Sequence, residues 1–151
     1  MTSTTLPFPE SFLHYLWRLR LFDHTHLTTT DGTPLKIIDP GIYNAHDAGP
    51  DFSQARIQLG STLWAGNVEL HKRSSDWMLH GHQNDPAYQT VVLHVVYEND
   101  HPLRRASGEA IPTLVLRGRV AARHIYRYAQ LMTSHQWVPC QAQLSRSVWS
   151  H

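Results

Sequence analysis

The chain has 151 residues, of which 41% are hydrophobic and 17% charged, with a formal net charge of +1. This suits a single soluble globular domain with a real core and excludes a disordered chain. The near balance of 13 basic against 12 acidic residues excludes a bulk basic field that would draw in nucleic acid, leaving only local patches.

One cysteine, Cys140, excludes an intrachain disulfide framework and a thiolate zinc cage, and reads as a structural thiol in a reducing cytoplasm. The opening "MTSTTLPFPE" has no basic start followed by an apolar run. No stretch reaches the roughly 18 apolar residues of a membrane span. The expectation is a cytoplasmic protein without membrane association.

In chain order, "PFPESFLHYLWRLRLF" predicts an amphipathic helix. Phe12, Leu13, Leu16 and Leu19 recur at helical spacing, Pro9 stands at its start and Glu10 in its first turn. "PLKIIDPGIYN" predicts a strand interrupted at Asp39-Pro40-Gly41. "FSQARIQLG" and "TLWAGNVELH" predict two strands joined by a tight turn at Gly60-Ser61. Gly66 inside the latter marks a bulge or a close approach.

"KRSSDWMLHGHQNDPAY" is polar and irregular, with a short helix expected from Asp85 to Tyr88. "TVVLHVVYEND" is the strongest strand, apolar enough to be covered on both faces. "AIPTLVLRGRV" predicts another strand and "AARHIYRYAQLM" a second helix. The order is that of an α/β (mixed α+β) domain built on one central mixed sheet flanked by helices. The domain is expected over 1–139, with a tail of no clear period over 140–151.

The hairpin carries the chemistry. A turn at Gly60-Ser61 with Asp51 opposite Glu69 or His71 would set all three on one face, together with Ala55, Ile57, Leu59, Leu63 and Ala65. Two carboxylates converging beside an apolar wall repel, and a divalent cation relieves the repulsion. Carboxylate and carbonyl oxygens suit Mg²⁺ or Mn²⁺, and the backbone carbonyl of Leu70 is a further oxygen ligand. Such an ion activates water and stabilises charge on a phosphate.

Pro50-Asp51 followed, one hairpin later, by Glu69-Leu70-His71 resembles the PD-(D/E)XK nuclease superfamily. The resemblance implies a restriction-endonuclease-like core and a metal-dependent phosphodiesterase, with Asp51 and Glu69 on the metal. His71 would stand where a lysine usually stands, and Glu10 would be an accessory acid. "GPDF", "WAGNVELH", "SSDWMLHGHQNDPAY" and "VVLHVVYEND" are together similar to a narrower bacterial family, domain of unknown function 2851, over roughly Pro9 to Cys140. Members of that family are generally longer, which makes the tail read as the truncation of a longer pattern. No established activity carries over from that family.

"HGHQNDPAY" holds His80, His82 and Asp85, and the next strand turns His94 inward. These residues form either a second metal site or phosphate donor, or a polar network bracing the loop over the sheet. Trp77 either stacks a base or plugs the core edge. Lys72 and Arg73, with Arg117, Arg119, Arg123 and Arg127, either meet phosphates or are solvated. Among the other histidines, His14, His24, His26, His46, His124 and His135 read as scattered over the surface.

Three functions compete. The first is a Mg²⁺/Mn²⁺ phosphodiesterase using Asp51, Glu69 and His71 on nucleic acid. The second is an inactive binding module on the same fold. The third is a hydrolase using His71, His80, His82 and His94 on another substrate.

Overall fold

The structure, a computed structural model, describes residues 6–45 and 48–136, the last three by backbone alone. Cys140, His46, the side chain of His135 and the 140–151 tail lie outside the described residues. The chain divides into two compact units, Met1–Arg119 and Val120–His151.

The first unit is a mixed α/β domain around one six-stranded sheet. Helix α1 (Glu10–Leu19) precedes β1 (Leu35–Asp39) and β2 (Ile42–Tyr43). The hairpin follows as β3 (Phe52–Leu59) and β4 (Thr62–Arg73). A connector with a single helical turn, α2 (Asp76–Leu79), and two short 3₁₀ turns leads to β5 (Val91–Glu98) and β6 (Thr113–Val115). The strand order is β1-β3-β4-β5-β6, with β2 also paired to β3. Pairings are antiparallel through β4, and β4–β5 and β5–β6 are parallel. The second unit contributes α3 (Ala122–Gln136). Among the described residues, no helix is long and apolar enough to cross a membrane.

Asp39-Pro40-Gly41 interrupts the first predicted strand as expected, splitting it into β1 and β2. α1 begins with Pro9 as its N-cap and ends at Arg20, whose φ of 57° stops it. It buries Phe12, Leu13, Leu16 and Trp17. Just ahead of it, Phe8 packs edge-on against Tyr97 of β5. His14 sits over Phe52 of β3, and the Trp17 indole donates to the carbonyl of Pro40. These contacts lay α1 on the sheet face that carries Phe52, Val68 and Leu70.

The hairpin register differs from expectation. A two-residue turn pairs its flanks, so Leu59 faces Thr62 and Ile57 faces Trp64. Leu63 and Ala65 therefore point away from the face of Ile57, and Leu63 is 68% exposed. Carried unbroken to the open end, this pairing would put Asp51 and Glu69 on opposite faces. It is not unbroken. Between Phe52 and Ala55 the ladder shifts by one residue, and Gln54 takes a φ of 58°. Beyond this bulge Phe52 faces Val68, which brings Asp51 beside Glu69.

β4 and β5 are covered on both faces where they meet. Val68, Glu69, Leu70 and His71 are consecutively buried, as are Leu93, His94, Val95 and Val96. The second face is closed by Trp77 and Tyr88 of the connector, which join Val91, Leu103 and Ile111 in one apolar cluster. The connector is tied down by Asp100. Its carboxylate accepts from both the Ser74 and Ser75 hydroxyls and from the Ser75 N–H, at 2.7 to 3.0 Å. The predicted 110–120 strand is shorter than expected, pairing only over Thr113–Val115.

Gly66 marks a close approach, not a bulge of its own strand. β5 inserts one extra residue, Val92, between its pairings with Asn67 and Val68. A Cβ on Gly66 would meet Val92 Cγ1 at 2.5 Å and the Thr90 carbonyl oxygen at 2.8 Å. The carbonyl is backbone and has nowhere to go. Gly66→Ala is expected to destabilise the protein by about 1–3 kcal/mol, measured as a lower urea midpoint at unchanged m-value; an unchanged midpoint would contradict the packing.

Candidate functional site

The bulge and the parallel β4–β5 pairing gather acids and histidines at one end of the sheet. Asp51 enters from the start of β3. Its N–H donates to Glu69 Oε1 at 3.1 Å, and its Oδ2 accepts the Leu70 N–H at 2.8 Å. The Asp51 backbone thus holds the Glu69 carboxyl beside its own. Leu70 thus serves Asp51 through its N–H, where the sequence pointed to its carbonyl as a ligand.

α1 supplies two further groups. His14 Nε2 lies 3.4 Å from Asp51 Oδ2 and 4.0 Å from Glu10 Oε1. His14 read as a surface residue in the sequence, and the structure corrects this. It is half-buried in the site, and its Nε2 is a buried nitrogen without a well-formed hydrogen bond. Only its place one turn into the helix, facing a strand twenty-nine residues on (Tyr43 at 3.3 Å), reveals it, and helical periodicity alone does not.

The histidines form the other half. His71 is 1% exposed, and its Nδ1 lies 2.7 Å from Nε2 of His94 on the neighbouring strand. Its Nε2 faces outward to His80 Nδ1 at 3.3 Å and Glu69 Oε2 at 3.7 Å. His82 Nε2 lies 2.7 Å from the same Glu69 oxygen, with its ring stacked on Tyr88. Two groups therefore have donor atoms within 4.8 Å of one another, close enough to converge on an ion: Glu10, His14 and Asp51, and His71, His80 and His82. Glu69 touches both.

Burial dominates the electrostatics. A carboxyl with almost no water beside a second carboxylate resists ionisation, so Glu69 is held well above the ordinary carboxylate range by desolvation and by Asp51. Burial would raise Asp51 as well, but the neighbouring His14 imidazole, Glu69 and the Leu70 N–H keep it low and ionised. Glu10 is pushed up to about 7, first by burial and then by the Asp51 charge. His71 and His94 are driven down to about 2 and about 3, chiefly by desolvation and then by neighbouring histidines. Both rings are neutral at physiological pH, so a single proton occupies the contact between them.

The other sequence candidates fall outside this cluster. Trp77 is 3% exposed and packs against the rings of His82, Tyr88 and His94, so it plugs the core and offers no open platform for a base. Asp85 caps the second 3₁₀ turn, accepting the Ala87 N–H at 2.9 Å. Lys72 Nζ donates to the Phe8 carbonyl, and Arg73 pairs with Glu98 at 3.3 Å. Arg117 also binds Glu98, and Arg119 donates to the carbonyls of Asp23, Thr25 and His26. The basic groups of this unit are largely spent on intramolecular partners.

The fold and cluster define a mixed α/β domain with an acid–histidine site sunk into its sheet. Residues 10–149 match the family model described as "Protein of unknown function (DUF2851)", and the chain belongs to that family. No curated protein and no solved structure matches it.

Glu69 gives a test of this electrostatic picture. Its folded-state pKa lies above the ordinary 4.5, so the folded protein keeps a proton that the unfolded chain releases. Stability contributed by that proton is present at low pH and is lost as pH rises above 4.5. With chelator present, Glu69→Gln is expected to be more stable than the parent at about pH 8 by on the order of 1–3 kcal/mol. The gap should narrow towards about pH 5 in urea unfolding. A gap independent of pH would show that Glu69 is not held protonated.

Proposed function

We propose that the protein is a metal-dependent phosphodiesterase of the nuclease type, whose cation sits between Asp51 and Glu69. The observation that carries this reading is the meeting of Asp51 and Glu69 from the two arms of one hairpin, with the Asp51 N–H 3.1 Å from Glu69 Oε1 and Glu69 almost without solvent. Such a pair is costly unless it shares a proton or an ion. Glu10 and His14 complete a donor set of oxygens with one imidazole, which suits Mn²⁺ or Mg²⁺. The cation would polarise a water and stabilise charge on the phosphate as it is attacked.

The chain order supports the same reading: a helix, an antiparallel hairpin bearing the acids, a connector and a parallel strand. His71 takes the position of the lysine in the PD-(D/E)XK pattern. It is buried and neutral, so it brings a lone pair and no charge.

One observation favours a narrower substrate. Lys72, Arg73, Arg117 and Arg119 are engaged within the fold, which leaves little of a phosphate track in this unit. A small phosphodiester fits that surface better than a long nucleic acid.

The test is calorimetric titration of metal-free protein with Mn²⁺, followed by cleavage assays. Substrates are single- and double-stranded DNA, RNA and an activated small phosphodiester. Asp51→Asn is expected to weaken Mn²⁺ binding at least tenfold and to abolish turnover. Unchanged Mn²⁺ affinity in that variant would place the ion elsewhere, and no cleavage of any substrate by Mn²⁺-loaded parent would reject the activity.

A further inference from the structure

The Mn²⁺ ligands are Asp51, Glu69, Glu10 and His14, and they leave the convergence of three histidines unexplained. His71 Nε2, His80 Nδ1 and His82 converge on one point, with Glu69 Oε2 at its edge. The spacing is informative. Four ligands arranged tetrahedrally at the Zn–N length of ~2.0–2.1 Å lie about 3.3 Å from one another. His71 to His80 is 3.3 Å and His71 to Glu69 is 3.7 Å. The His82–Glu69 contact, at 2.7 Å, is a hydrogen bond that an ion would replace.

The surroundings are those of a ligand set. A metal-bound imidazole characteristically offers its second ring nitrogen to a fixed partner, which sets tautomer and orientation. His71 has that partner in His94 at 2.7 Å, and His94 is fully buried. When His71 Nδ1 carries the shared proton, Nε2 presents its lone pair to His80, His82 and Glu69. His94 Nδ1 is then an N–H without a partner in the buried core, in accord with the orphaned atom seen there. His82 is held by ring stacking on Tyr88 at 3.7 Å, while His80 is exposed and leaves one side open to water.

We propose that His71, His80 and His82, with Glu69 Oε2, form a second cation site of zinc type, and that Glu69 bridges it to the Asp51 site in a two-metal centre. The two halves differ in chemistry. One is three imidazoles and a carboxylate oxygen, and the other is oxygen-rich with a single imidazole. They therefore select different ions, borderline-soft against hard. His94 is a positioning residue that acts through His71. The imidazole site stands on its own geometry; only the bridge rests on the Asp51–Glu69 cation of the proposed function.

The experiment loads the metal-free full chain with Co²⁺, followed by its visible ligand-field band, and with Mn²⁺, followed by electron paramagnetic resonance. Circular dichroism verifies that each variant is folded. The parent is expected to bind one Co²⁺ in a tetrahedral, imidazole-rich environment and one Mn²⁺ alongside it.

His80→Ala, a change at an exposed position, should weaken Co²⁺ at least tenfold, abolish the tetrahedral band and leave Mn²⁺ binding in place. His82→Ala should do the same. Asp51→Asn should show the converse, and Glu69→Gln should weaken both ions. Co²⁺ binding with parental affinity and spectrum in both His80→Ala and His82→Ala would overturn the site. Loss of Mn²⁺ alone in Glu69→Gln would overturn the bridge. Failure of the phosphodiesterase reading shows separately, as bound metal without cleavage.

Discussion

Side chains on a strand alternate between faces, so a hairpin decides by the parity of its pairing which residues can meet. A two-residue turn at Gly60-Ser61 gives this hairpin the wrong parity for its two acids. One bulge, at Gln54, changes that parity before the strands end. Everything at the site depends on this correction. Without it Asp51 would stand opposite Leu70, and Glu69 opposite Phe52, a hydrophobic neighbour in place of the second acid. A left-handed backbone at a non-glycine residue is an unfavourable conformation. Here it is held by a long antiparallel ladder on one side and by the Asp51 hydrogen bonds to Glu69 and Leu70 on the other.

Once parity is set, burial does the rest. Glu69 and His71 lie in the stretch of β4 that is covered on both faces, next to the most apolar strand of the sheet. Ionised groups are disfavoured there, and the structure answers by setting titratable groups side by side: acid beside acid, imidazole on imidazole. A polar cluster of this kind does little for the stability of a metal-free fold. Hydrophobic residues of the same volume would pack the space at lower cost. That contrast is the physical reason to read the cluster as a place for chemistry.

Much of the architecture was legible in the sequence because it rests on local patterns. The hairpin limits, the break at Asp39-Pro40-Gly41, the first helix and the doubly covered β5 all follow from periodicity and turn chemistry. His94 was legible as an inward residue for the same reason. What escaped depends on tertiary contact. A bulge at Gln54 has no glycine to announce it. His14 is one histidine among twelve until α1 is placed over Phe52. The helical turn Asp76–Leu79 is too short to show a period, and it forms because Asp100 fixes the serines before it. Trp77 was open between two roles, and only the packing of Tyr88, His82 and His94 around it decides for the core.

The connector between β4 and β5 carries a consequence of another kind. Parallel strands need a long crossover, usually a full helix that shields the sheet by its own hydrogen-bonded rigidity. Here the crossover has one helical turn and two 3₁₀ turns, and its inward residues include His82 as well as Trp77 and Tyr88. The cover over the sheet and a share of the proposed cation ligands are thus one segment. An ion held by it would supply order that a longer helix would otherwise carry. By mass action, a cation at one hundred times its dissociation constant adds about 2.7 kcal/mol to the folded state. The integrity of this face would then follow the supply of metal in the surroundings, so that scarcity would be felt as a loosened cover before it was felt as lost chemistry.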